Sequence, residues 1–201
     1  MGLGWKDWNR SDVIYGIVVP IIVVLVIVGL GSFVMGGRGW GGSLGIYIGI
    51  ISSIEEMVVI VGVPLLLGLV WNRWAGGASG FLLGSMYSMW YAVEHGLYSG
   101  SRSYNLGPTL LGWVLSAMLI GYMAGALNKR SENLRRMIIA GVVSTTVGGV
   151  FLFWMFQLSP SNVMTGVNGF LLTVLVRIAA AVIIAVIAKV FMWYGVAFHK
   201  T

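Results

Sequence analysis

The chain has 201 residues, of which 58% are hydrophobic and 9% charged, with a formal charge of +6 and a mean hydropathy of +0.93. A soluble domain carries about 25% charged residues, so the composition excludes a soluble fold and predicts a single integral membrane domain over residues 1–201. There is no cysteine, which excludes disulfides, thiolate metal sites and cysteine nucleophiles. The positive charge gathers at helix ends, so it calls for no nucleic acid.

Long apolar runs predict an all-α polytopic protein and not the short alternating strands of a barrel. The first helix is expected at 13–35, rich in Val and Ile with Pro20 near its start. A glycine loop follows, GGRGWGGS at 36–43, carrying Arg38 and Trp40. The second helix, 44–71, would reach roughly 42 Å, against a hydrocarbon core of about 30 Å. It therefore either projects from the bilayer or breaks near Ser52-Ser53, and it places Glu55 and Glu56 about one turn inside one surface. Glu56 is the carboxylate expected to face inward, because it shares a face with Gly45, Gly49 and Ser52.

A tight turn, Trp71-Asn72-Arg73-Trp74, reads as two interfacial aromatics around a charge. The third helix, 76–95, carries Gly76, Gly77, Gly80 and Gly84 on one face, with Ser88 a turn further on, so a neighbouring backbone can approach closely. It ends in Trp90, Tyr91, Glu94 and His95. A polar connection with Arg102, Tyr104 and Asn105 leads to the fourth helix, 109–127, where Gly112, Ser116, Gly121 and Gly125 are packing residues. The strongly charged loop NKRSENLRR spans 128–136, then come the fifth helix, 137–157, and the sixth, 168–197.

Six spans put both termini on one side. That side collects Lys6, Arg10, Arg73, Lys129, Arg130, Arg135, Arg136, Lys189 and Lys200, nine basic residues against Arg38 and Arg102 opposite. The termini are therefore expected in the cytoplasm of a multi-pass cell-membrane protein. Glu56, Glu94, His95, Arg102, Gln157 and Asn168 then fall toward the outer face, among Trp40, Tyr47, Trp90, Tyr91, Tyr98, Tyr104 and Trp113. Ionisable residues within a span default to a functional hypothesis, and carboxylates among rings could hold a cationic or amine-bearing ligand. The competing reading is structural: a carboxylate pairs with Arg177 of the sixth helix as a fixed strut, and boundary aromatics form only the usual belt.

No enzyme is expected. His95 and His199 lie far apart in depth and no metal-ligand spacing occurs. Ser85 and Ser88 stand about 10–15 Å of helical rise from His95, too far for a Ser–His dyad. There is no phosphate-binding loop with its Lys-Ser/Thr pair, and no cofactor is implied.

Several stretches are similar to a known family: the Val63-Pro64 pair, GLVWNRWAGGASGFLLG from Gly68 to Gly84, the Leu111-Gly112-Trp113 start of the fourth helix, and GYMAGALNKR from Gly121 to Arg130. Over roughly 62–154 the chain resembles the substrate-binding S component of energy-coupling factor (ECF) transporters. The resemblance implies six helices, an outward pocket for a vitamin-like small molecule, and delivery when a membrane coupling subunit with two ATPases tilts the protein. It implies a roof from Arg38 to Gly42 with Trp40, and walls including Tyr104, Asn105, Trp113, Gln157 and Asn168. Two features depart from the family: the first helix has no alanine for the usual Ala-x-x-x-Ala docking face, and Tyr87 and Ser88 stand where an Asp is common. The alternative is a non-catalytic accessory subunit that packs its small-residue faces on other membrane subunits.

Overall fold

The computed structural model describes Val18 and residues 54–98, 107–158 and 166–193, with the backbone alone at 93–98. Every regular element among them is helical. A helical stretch from Ile54 passes through a π-helical segment, Met57–Gly62, into α1, Val63–Val70. After a two-residue turn come α2, Arg73–Tyr98, then α3, Pro108–Asn128, α4, Leu134–Gln157, and α5, Gly166–Trp193. Of these, α3, α4 and α5 are long and apolar enough to cross a membrane. The expected first helix apart from Val18, the Gly36–Ser43 loop and the Ser52-Ser53 region lie outside the described residues.

The π-helical segment has a local cause. Pro64 sits in the first turn of α1 and has no N–H to offer Ile60, while its ring crowds that residue's carbonyl. Widening the backbone over Met57–Gly62 relieves the crowding without ending the helix, the usual form of a π-bulge. Gly62 and Val63 keep right-handed helical backbone angles, so the chain runs through the junction unbroken.

The short α1 is the hub. It touches α2, α3, α4 and α5, whereas the longer helices follow one another around it in chain order, α2 on α3, α3 on α4 and α4 on α5. Leu65 and Leu69 of α1 are fully buried, with Ile60 just before them, Leu83 of α2, Ile120 of α3, and Met137 and Leu152 of α4. At the other extreme, 28% of the most apolar stretch of α5 is buried, against 44% for α3 and α4. Thr173, Val174, Arg177, Ala181, Ala185 and Ala188 form its one buried stripe. The rest of α5, including Leu172, Leu175 and Ile183, faces outward as a lipid-facing helix does.

The small-residue face of α2 has its partner in α3. Gly76, Gly80 and Gly84, spaced by four, oppose Gly121, Ala117 and Val114, spaced by four and then three. A Cβ on Gly80 would stand 2.7 Å from the Met118 amide nitrogen and closer still to the Ala117 carbonyl. One on Gly84 would stand 2.7 Å from the Val114 Cα. The two backbones are therefore in contact, which only hydrogen in place of a side chain allows.

The basic turn departs from the sequence reading in two ways. The helix after the basic turn begins at Arg73 and not at Gly76, because Asn72 caps it: its Oδ1 accepts from the Ala75 amide at 2.8 Å and its carbonyl accepts from the Gly76 amide at 3.0 Å. The turn is also not a pair of interfacial indoles. Trp74 is half exposed, but Trp71 is buried, and Arg130 Nε of the loop after α3 donates to its carbonyl at 2.8 Å.

Candidate functional site

Two polar or aromatic constellations stand out within the apolar bundle. The first is an ion pair. Arg177 lies roughly 16 Å along α5 from Gly166, is 3% exposed, and donates from Nη2 to Glu56 Oε1. Nη1 donates to the Thr173 carbonyl one turn back at 2.9 Å. The stem runs over Gly149 of α4, where a Cβ would meet Arg177 Cδ at 3.4 Å. The absence of a side chain on Gly149 leaves room for the stem. Glu56 precedes the π-helical segment and is about one quarter exposed. The pair ties α5 to the helix that leads into the hub. Arg177 Nε is buried and has no partner among the described residues.

The second constellation is aromatic and lies at the end of the bundle opposite the basic loop, where α2 and α4 finish and α3 begins. Trp113 of α3 is its centre. Its ring meets Tyr91 edge-on at 4.5 Å between centroids, Tyr87 at 5.3 Å and Phe156 of α4 at 6.0 Å. Trp90 adjoins Tyr87 at 5.8 Å. Edge-to-face pairs at such separations contribute about 0.5–1.5 kcal/mol each beyond area burial. Gly112 lets α3 approach α4 here, a Cβ on it lying 2.9 Å from Met155 Cβ. Ser88 fastens α2 to the start of α3 through the Leu110 carbonyl at 2.9 Å. Trp113 is 4% exposed, and among the described residues its buried indole N–H has no acceptor. A buried donor left unmade costs about 1–3 kcal/mol.

The expected site residues divide accordingly. Trp113 is at the centre of the aromatic cluster, and Glu56 belongs to the ion pair. Gln157 is exposed at the last turn of α4 and Asn168 is exposed in the first turn of α5. Glu94 and His95 lie on the last turns of α2, where only the backbone is described, and Trp40, Tyr104 and Asn105 lie outside the described residues. The sequence reading did not single out Phe156 as a partner of Trp113, nor Tyr87 as an aromatic neighbour. Tyr87 and Tyr91 do share a helix face at i, i+4, a signal that was available. No signal on a single chain indicates that α4 brings Phe156 to the same place.

Three further polar links hold the bundle. Ser116 Oγ of α3 donates to the Gly148 carbonyl of α4 at 2.9 Å, and buried Asn128 donates from Nδ2 to the Leu69 carbonyl of α1 at 2.9 Å. The same Nδ2 reaches the Ser131 carbonyl at 3.1 Å, closing the turn after α3. Among the described residues no group of three or more His, Asp or Glu could hold a metal ion.

In comparisons with family models, with curated proteins and with solved structures, nothing matches the chain. Any functional reading therefore rests on these side chains.

Proposed function

We propose that the chain is the small-molecule-binding component of a membrane uptake system, with the aromatic cluster around Trp113 as its ligand site. The observation that carries the reading is the buried indole N–H of Trp113, which has no acceptor among the described residues and sits among the rings of Tyr87, Tyr91 and Phe156. A flat ligand bearing a hydrogen-bond acceptor, such as a ring nitrogen or carbonyl, would complete that donor and stack among the rings. Because Arg177 already engages Glu56, a neutral acceptor-bearing ligand fits this end of the bundle better than a cation does. The resemblance to ECF S components agrees with this reading, with a coupling subunit and its ATPases as partners.

The reading includes six spans with cytoplasmic termini, supported by the nine-to-two asymmetry of basic residues. Single cysteines at Ser99 and Ser131, in a chain that has none, should label from opposite sides of a sealed membrane. Labelling from one side would refute the topology. For the ligand, mass spectrometry of small molecules released from the purified protein should find an aromatic, acceptor-bearing species. Trp113→Phe, which keeps the ring and removes the donor, should lose it. Purified protein that releases nothing, and a Trp113→Phe variant that melts as the parent does, would overturn the site.

A second reading, a non-catalytic accessory subunit, has its own support. The Glu56–Arg177 pair can serve as a strut, and α5 exposes most of its apolar surface. Purification settles the choice: a chain stable alone with bound ligand favours uptake, and one stable only with another membrane subunit favours the accessory role.

A further inference from the structure

We infer that the basic end of the bundle is a binding surface for the headgroup of an anionic phospholipid. Three segments meet there. The turn between α1 and α2 lies against the end of α3, with the Arg73 backbone packed on Gly125. The loop after α3 reaches back to that turn through Arg130, and Arg136 at the start of α4 donates from Nε and Nη2 to the Leu127 carbonyl at 3.1 and 3.0 Å. Arg73, Lys129, Arg130 and Arg136 are thus gathered on one rim and all are exposed.

Two observations set this rim apart from an ordinary solvated face. The charges lack paired carboxylates: although Glu132 lies in the same loop, none of the four side chains is in an ion pair with a described residue, and among the described residues neither Arg73 nor Lys129 donates a side-chain hydrogen bond. The rim is also rigid. Lys129 and Arg130 both hold left-handed backbone, at φ 50° and 58°, a conformation that disfavours a residue with a side chain. Asn128 and Arg130 pin it through the Leu69 and Trp71 carbonyls. Strained backbone persists where its surroundings determine it, and here it projects two adjacent cations outward.

The bland explanation is that these arginines cap helix ends, and Arg130 and Arg136 do so for α1 and α3. Capping uses only part of each guanidinium and none of Arg73 or Lys129. The surroundings favour a lipid over a soluble acidic partner. Trp74 is 46% exposed, with the Arg73 guanidinium 5.5 Å from its ring, and Leu127 and Leu134 are exposed beside the cations. Cations above an indole and aliphatic side chains match a headgroup over its acyl chains.

The test uses the full chain in nanodiscs of phosphatidylcholine, alone or mixed with phosphatidylglycerol, read by native mass spectrometry and by melting. Phosphatidylglycerol should be retained over phosphatidylcholine by on the order of tenfold, with a higher melting temperature in the mixed discs. Arg73→Gln combined with Lys129→Gln should abolish the preference, while Arg102→Gln, in a different loop, should leave it intact. Lys129→Gln alone, on an exposed side chain without a hydrogen bond, should reduce the preference and keeps the test readable should the double variant fail to fold. Equal retention of the two lipids would overturn the inference. So would a preference that survives the substitutions, or an equal rise in melting temperature when inorganic phosphate is added to discs of phosphatidylcholine alone.

Discussion

The seam between α2 and α3 and the seam between α4 and α5 are both lined by glycine, and they are built differently. Between α2 and α3 the backbones touch: any Cβ on Gly76, Gly80 or Gly121 would run into a carbonyl group of the facing helix. Between α4 and α5, a Cβ on Gly141 would meet the Ala181 methyl at 3.5 Å, an ordinary van der Waals contact, and Gly149 makes room for an arginine stem. Glycine is obligatory in the first seam and replaceable at Gly141 in the second. The difference follows from what each seam must bury. In a bilayer, lipid tails are as apolar as leucine, so helices associate through close packing and polar links. The α2–α3 seam relies on backbone packing, whereas α5 meets α4 through side chains and is tied by the Glu56–Arg177 pair to the helix that leads into the hub.

The largest expected effect is at the first seam. Gly80→Leu should prevent α2 from seating on α3, since the obstruction is backbone and cannot turn aside. Overpacking a core typically costs about 1–3 kcal/mol and occasionally more, and here the upper end or loss of folded protein is expected. Size-exclusion profile and melting in detergent check it. A Gly80→Leu variant that melts with the parent would mean that α2 and α3 are not in backbone contact.

Next comes the ion pair. Arg177→Met should cost about 3–5 kcal/mol, because it leaves a carboxylate in the bundle without its cation. Glu56→Gln leaves the buried Arg177 guanidinium without its counter-charge, but the amide keeps the shape and can still accept its hydrogen bond, so a smaller loss is expected. The double variant should recover part of the loss, and a double-mutant cycle on melting reads the coupling. Additive losses would show that the two side chains do not depend on each other, and would weaken the second functional reading with them.

The contrast between the seams also marks where a sequence can be read. The spacing Gly76, Gly80, Gly84 announces a close approach, and Gly121 and Gly125 offer a complementary face, so this contact was legible as a pattern of four. Arg177 was legible as a partner for a carboxylate, since a charge within an apolar helix needs one. The π-helical segment was not, although Pro64 was in plain view, because a proline permits a kink, a break or a widened turn equally. Trp71 looks like an interfacial anchor from its neighbours, yet its ring is buried, and nothing in the local sequence shows that Arg130 returns to its carbonyl. The Trp113 cluster joins three helices, and periodicity along one helix carries no record of which others it meets.

A smaller effect concerns the link between the two halves of the bundle. Ser116→Ala removes the hydrogen bond to the Gly148 carbonyl between α3 and α4. That carbonyl retains its place in the α4 ladder, so no acceptor is stranded. Interhelical hydrogen bonds of this kind average about 0.6 kcal/mol in membranes. The expected loss is of that order, visible as a slight fall in melting temperature. A loss of several kcal/mol would show that the α3–α4 contact is held by this bond and not by the packing of Gly148 against Ile120.

The smallest effect is the most discriminating one. Gly141→Ala places a methyl in the α4–α5 seam at 3.5 Å from Ala181 Cβ and carbonyl oxygen and 3.9 Å from Leu65 Cδ1, distances that require no movement. Alanine is also the better helix former, by about 0.8–1.0 kcal/mol over glycine in water, an advantage reduced where the unfolded chain is itself helical in the bilayer. The substitution should therefore be neutral or raise stability by a few tenths of a kcal/mol. Gly121→Ala adds the same methyl to α3, but there it meets the Gly76 backbone and should destabilise clearly. Because the two variants share one chemical change, their difference isolates the approach distance from helix propensity and hydrophobicity. Melting both under identical detergent conditions gives that difference directly. Equal behaviour of the two would mean that the seams are equally close, and the distinction between backbone packing in one and side-chain packing in the other would be lost.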